Sequence, residues 1–192
     1  MTSATGVASL AAPMLSAETA IHRLSVEDVR RMVEVGVLRE EDRMELVDGV
    51  LVDVSPPGPA HSAIVAWLNR HLVGAVGQRE VRVQDLLLVE GGFVMPDLMV
   101  IDPLPRDRQP SSAALVIEVS VTTQRYDAAK SLRYAGAAVP EYWIVDVPKR
   151  GVDVHRRPSP TGYTEIKRYG EGEQIATEVA ASPVDVSALL LG

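Results

Sequence analysis

Ala114-Leu115-Val116-Ile117-Glu118-Val119-Ser120-Val121 is polar only at Glu118 and Ser120. A run that is apolar on both faces reads as a strand buried in the middle of a sheet. Phe93-Val94-Met95-Pro96-Asp97-Leu98-Met99-Val100-Ile101 has the same character, with one carboxylate inside it. Downstream of Glu118 a helix is expected from about Tyr126 to Ala138. The apolar strand Glu141-Tyr142-Trp143-Ile144-Val145-Asp146 follows and should be central. Strand, helix and strand in that order allow a right-handed parallel crossover.

Working outward, Ser25-Val26-Glu27-Asp28 resembles an N-cap with acids in the first helical turn, and that helix would stop near Gly36. Its inward side would carry Val29, Met32 and Val33. Met44 to Val54 reads as a hairpin turning at Asp48-Gly49. Pro56-Pro57-Gly58-Pro59 is a stiff loop. From His61 to about Val76 an amphipathic helix places Ile64, Val65, Leu68 and Leu72 on one face. Two strands are expected over Glu80 to Val89 and Gly92 to Ile101, around Glu90-Gly91-Gly92. An edge hairpin is expected over Gly151 to Arg156 and Tyr163 to Arg168. There is no internal repeat. The pattern describes one mixed-sheet α/β domain over residues 23–192, behind a loosely ordered tail over 1–22.

Composition narrows the function. The 192 residues are 46% hydrophobic and 23% charged, ordinary for a globular domain. The absence of cysteine excludes thiolate metal sites, disulfides and cysteine nucleophiles, and fits a reducing cytoplasm. No apolar run approaches the roughly 18 residues that cross a bilayer. A net charge of −7 argues against a non-specific nucleic-acid coat protein but leaves room for a local basic surface. Arg125, Lys130, Arg133, Lys149, Arg150, Arg156, Arg157, Lys167 and Arg168 are the candidates for it, and each taken alone reads as an ordinary solvated charge.

Ionised carboxylates inside apolar strands are costly unless paired, hydrogen-bonded or bound to a metal. If the strands carrying Asp97 and Glu118 are neighbours, the two acids can share one hard cation such as Mg²⁺, which prefers carboxylates and water. A buried salt bridge is the alternative for either acid alone. On a helix Tyr126, Lys130 and Tyr134 share a face, with Leu132, Ala135 and Val139 on another that should pack on the sheet. Lys130 would orient a nucleophile or stabilise developing charge, or would merely pair with Asp127 on the surface. Glu45 joins the cluster or is an exposed hairpin acid. His61 acts near neutral pH on a phosphate, or is a helix-start histidine with no chemical task. No phosphate-binding glycine loop, dinucleotide fingerprint or serine nucleophile elbow is present.

Four segments, Met44-Glu45-Leu46-Val47-Asp48-Gly49, Met95-Pro96-Asp97-Leu98, Val116-Ile117-Glu118-Val119-Ser120 and Val139-Pro140-Glu141-Tyr142-Trp143-Ile144-Val145-Asp146, resemble in order and spacing the Uma2 family of restriction-endonuclease-like proteins, within the PD-(D/E)XK nuclease superfamily. The resemblance runs from about Leu24 to Arg156. It implies a restriction-endonuclease-like mixed β-sheet core flanked by helices, here with an N-terminal helix and β-hairpin added. It also implies phosphodiester hydrolysis with Mg²⁺ or Mn²⁺ held by Asp97 and Glu118, and by the Val119 carbonyl. Glu45 and His61 match the family's early acid and helix-start histidine. The superfamily lysine, usually two residues after the second acid, is replaced here by Ser120, and the resemblance points to Lys130 on the following helix instead. The expected function is a cytoplasmic, metal-dependent DNA endonuclease. Cutting both strands of a duplex is simplest for a homodimer. The other readings are a non-catalytic binding or assembly module on the same fold, and a hydrolase of another phosphoester.

Overall fold

The computed structural model describes residues 21–39, 41–121 and 125–191, with the backbone but not the side chains over 125–129. Residues 1–20 of the expected tail, and the side chains of Arg125, Tyr126 and Asp127, lie outside that description. Two sheets meet at a bent ribbon. The larger has six strands in the order β10 (Gly162–Gly170), β9 (Gly151–Ser159), β8 (Glu141–Asp146), β7 (Leu115–Ser120), β6 (Leu98–Ile101) and β3 (Glu80–Val83). Its only parallel pair is β7 with β8, joined through helix α3 (Arg125–Gly136) as the strand–helix–strand pattern requires. The smaller sheet runs β2 (Val50–Asp53), β1 (Met44–Val47), β5 (Gly92–Val94), β4 (Leu87–Val89). A two-stranded sheet, β11 (Gln174–Ile175) with β12 (Val184–Asp185), and the short helix α4 (Val186–Leu191) complete the chain.

β7 is apolar on both faces because helices cover both. Leu115 and Ile117 pack with Trp143 and Val145 against Ile64, Leu68 and Leu72 of helix α2 (Pro59–Val73). Val116 packs with Tyr142 and Ile144 against Tyr134 of α3. The smaller sheet receives helix α1 (Val26–Glu34), whose Val29 meets Leu46 and Phe93. That helix opens with a reciprocal cap between Ser25 and Asp28. The β1–β2 hairpin turns at Asp48 (φ 50°) and Gly49 (φ 77°), two left-handed residues that match the twist of the flanking strands.

Three expectations need correction. Phe93 to Ile101 is not one strand: it breaks at Met95-Pro96-Asp97, with β5 in the small sheet and β6 in the large one. Glu80 to Val89 likewise breaks, at Gln84-Asp85-Leu86. The two breaks lie opposite each other, because Val83 pairs with Leu98 and Leu87 with Val94. The hairpin therefore bends as a unit from one sheet into the other. Pro96 supplies no N–H for a ladder, and Gln84 takes a left-handed φ of 49°. Finally, Leu132 of α3 is 56% exposed whereas Tyr134 is fully buried. Ala135 and Val139 are buried as expected, but the third inward position belongs to Tyr134 rather than Leu132.

Candidate metal and catalytic centre

The bend where the two sheets meet gathers acids from separate elements. Glu45 comes from β1, Asp97 from the break before β6, Glu118 from β7, and Lys130 reaches in from α3. The Lys130 ammonium lies 3.0 Å from Glu45 Oε1 and 2.9 Å from Glu118 Oε1. Glu45 is wholly buried and Glu118 is 6% exposed. The exposed-hairpin account of Glu45 is therefore excluded, and so is a Lys130 that serves only the surface. Glu45 Oε1 also accepts the Met95 N–H at 3.1 Å, which ties the small sheet to the break.

Asp97 stands just ahead of β6, so it does not alternate with Phe93 and Met95 as a continuous strand would have it. Its Oδ1 lies 2.9 Å from His61 Nε2, and its Oδ2 accepts the Val119 N–H at 2.8 Å. That second bond has a topological cause. The β6–β7 ladder ends at the Leu98–Ile117 pair, so the Asp97 carboxylate takes the place of the missing strand. In a strand the N–H and C=O of one residue point to the same side, so the Val119 carbonyl is directed to the Asp97 side too. The Ser120 carbonyl points the other way and accepts from Val147 N at 3.0 Å. His61, near the start of α2, is buried, and its Nδ1 has no partner among the described residues.

Tyr134 completes the centre and was not among the residues singled out for chemistry. Its hydroxyl donates to Glu118 Oε1 at 2.6 Å. The available signal was its spacing, one helical turn after Lys130.

These surroundings push the two metal-candidate acids apart. Burial raises the Asp97 pKa, but hydrogen bonds from His61 and the Val119 N–H, with the charges of His61 and Lys130, carry it below the usual carboxylate value. Burial dominates at Glu118, and with the Asp97 charge it outweighs Lys130 and Tyr134, leaving Glu118 at about 7. Burial alone would lower the Lys130 pKa, yet Glu118 and Glu45 raise it, so the ammonium stays charged.

The donor set fits a hard divalent cation. Asp97, Glu118 and the Val119 carbonyl offer oxygen only, and Glu118 Oε2 carries no hydrogen bond among the described residues. No three His, Asp or Glu side chains there form a ready-made ligand cluster. Mg²⁺ is commonly held by one or two carboxylates with water filling its other positions. The centre opens into a cleft of about 610 Å³, lined by Arg43, Glu45, Gln84, Asp97, Glu118 and Lys130 among others. A larger concavity of about 870 Å³ lies elsewhere, beside Arg23, Gly49, Leu132 and Arg133.

The family model described as "Putative restriction endonuclease" matches residues 26–186 of this sequence. The chain belongs to the Uma2 family. A crystal structure described as "a putative nuclease belonging to DUF820", from Anabaena variabilis, superposes with a TM-score of 0.69 at 15% identity. The match covers 82% of this chain and 95% of that one, and shows the shared fold. No curated protein matches this chain. In this Uma2 member Lys130 lies beside both Glu45 and Glu118, and no described helix is long and apolar enough to cross a membrane.

Among the described residues, most of the basic side chains expected to form a surface are paired with acids. Arg133 pairs with Asp48, Lys149 with Asp146, Arg156 with Glu141, Arg157 with Glu165 and Arg168 with Asp153; Arg150 pairs with Glu171. Lys167 sits over the Tyr169 ring, 4.3 Å from its centroid.

Proposed function

We propose that this chain is a metal-dependent endonuclease hydrolysing phosphodiester bonds in DNA. The observation that carries the reading is the meeting of a largely enclosed lysine, its side chain 12% exposed, with two buried glutamates beside Asp97 in one cleft. A scaffold gains nothing from such a group, because burying charges costs more than apolar packing of the same volume. Family membership supports a nuclease, and the oxygen donor set supports Mg²⁺ or Mn²⁺ as its ion.

Asp97, Glu118 and the Val119 carbonyl would hold the ion. When bound, such an ion supplies a water of lowered pKa and neutralises charge building on a phosphoryl oxygen. Lys130 holds a fixed positive charge at the wall of the cleft, where it stabilises that charge or orients the attacking water. Glu45 fixes the Lys130 ammonium, and His61 fixes Asp97, so both act by positioning. A homodimer would present two such clefts to the two strands of a duplex.

The test is nicking of supercoiled plasmid with Mg²⁺ or Mn²⁺ by wild type, Asp97→Ala and Lys130→Ala. Metal-dependent nicking lost in both variants supports the reading. Full activity in Asp97→Ala contradicts it, and activity retained in Lys130→Ala removes the role given to the lysine.

A further inference from the structure

With its acids ionised, Lys130 and a divalent ion bring the cleft to neutrality at best and leave no positive charge over for a polyanion. Glu45, Asp97 and Glu118 are three acids, and Lys130 is already held between two of them. A polyanionic chain entering such a cleft needs a cation whose charge is not already neutralised. Most of the surface arginines and lysines expected to provide it are paired with acids.

Arg43 is different. It lines the cleft and makes no ion pair with a carboxylate among the described residues. Its side-chain hydrogen bond runs from Nη1 to Gln84 Oε1, 2.9 Å away, a neutral partner that leaves the charge intact. Its backbone is fixed where Val54 N donates to Arg43 O at 2.9 Å, one step beyond the β1–β2 ladder. Two residues before Glu45 on an extended chain, it lies on the same side as that acid.

Gln84 gives an independent observation. It holds φ 49°, a left-handed conformation that is costly for a long side chain and that glycine or asparagine would adopt more easily. Its backbone N–H donates to the Asp97 carbonyl at 3.1 Å while its side chain holds Arg43. One strained residue thus links the guanidinium to the backbone of the aspartate at the reactive end of the cleft.

We propose that Arg43 is a substrate-binding residue that contacts a backbone phosphate of the nucleic acid beside the bond to be cut, with Gln84 as its positioning residue. The inference rests on the nuclease reading above. Arginine suits the task because its planar fork matches phosphate oxygens and stays charged at any working pH.

The experiment measures binding of a fluorescent 20-base-pair duplex in Ca²⁺ between 50 and 200 mM salt, and cleavage in Mn²⁺, for wild type, Arg43→Gln, Arg43→Lys and Gln84→Ala. Losing one phosphate contact should flatten the slope of log K against log salt by about 0.9 in Arg43→Gln. Arg43→Lys should restore the slope, and Gln84→Ala should keep it while cleaving several-fold more slowly. An unchanged slope in Arg43→Gln, or the same loss in Arg43→Lys, overturns the assignment while leaving a wild type that binds and cuts as a nuclease. A wild type that neither binds nor cuts overturns the nuclease reading, and this assignment with it.

Discussion

Replacing Lys130 by methionine should change not only the stability of the fold but its dependence on pH. The Lys130 side chain is 12% exposed and holds two buried carboxylates at 2.9 and 3.0 Å. Removing one partner of a buried ionic group costs about 3–5 kcal/mol, because the remaining charges lose their compensation. The pH dependence follows from Glu118, which stands at about 7 in the fold against 4.5 in the unfolded chain. Between those values the folded state holds a proton that the unfolded state has released, so stability falls as pH rises, by about 1.4 kcal/mol per unit. Above 7 both states are ionised and the wild-type contribution becomes flat. Without the Lys130 charge Glu118 is pushed higher still, so the variant should keep losing stability between pH 7 and pH 8, by up to about 1.4 kcal/mol. Urea unfolding in EDTA at pH 5, 6, 7 and 8 reads this directly, with Lys130→Met/Glu118→Gln as the control that should not show the extra fall. Lys130→Met running parallel to wild type from pH 7 to 8 would refute the reasoning. So would a loss at pH 7 below about 1 kcal/mol, the worth of an exposed pair.

Other consequences can be checked in the same assay. Tyr134→Phe removes a 2.6 Å hydrogen bond to Glu118 and should cost about 1.5–3 kcal/mol at pH 8, where the acceptor is charged. Gly92 has φ 156°, and a Cβ there would stand 1.9 Å from the Leu46 carbonyl oxygen; Gly92→Ala should therefore lower stability by about 2–3 kcal/mol, with a drop in the urea midpoint as the readout. His155 packs against Tyr142 and Tyr163, and burial holds its pKa below 6.5. The unfolded chain takes up that proton first, so stability is present above pH 6.5 and falls as pH drops below it. His155→Phe should flatten this acid limb between pH 6.5 and 5.

Much of this architecture is legible in the chain because several signals coincide. Asp48-Gly49 sets a hairpin by backbone conformation alone. The unbroken apolar character of β7 announces helices on both faces, and the α2 stripe Ile64, Val65, Leu68 and Leu72 is buried as its spacing requires. The buried position of Glu118 follows from its strand, whereas Asp97 is half-buried in the break ahead of β6. The bend in the ribbon was harder to see, because an apolar run looks the same whether its strand stays in one sheet or passes into another. Pro96 was the available clue, since proline is poorly tolerated in the interior of a central strand. Helical spacing separates the Lys130–Tyr134 face from the face of Leu132, Ala135 and Val139 but does not fix how far the sheet wraps round the helix, so Ala135 and Val139 are buried as expected while Tyr134 takes the place of Leu132. Arg43 escaped notice because an arginine before a hairpin looks like any solvated charge. Its significance depends on Gln84, 41 residues away in sequence and 2.9 Å away in space.

Cleavage assays can be silenced by an unmet sequence preference, whereas metal binding needs no substrate. The most direct measurement is therefore calorimetric titration of Mn²⁺ into wild type, Asp97→Asn and Glu118→Gln at pH 8. The account predicts saturable binding by wild type, weakened at least about tenfold in each variant. Equal binding by all three, or none by wild type, would contradict a metal centre at Asp97 and Glu118.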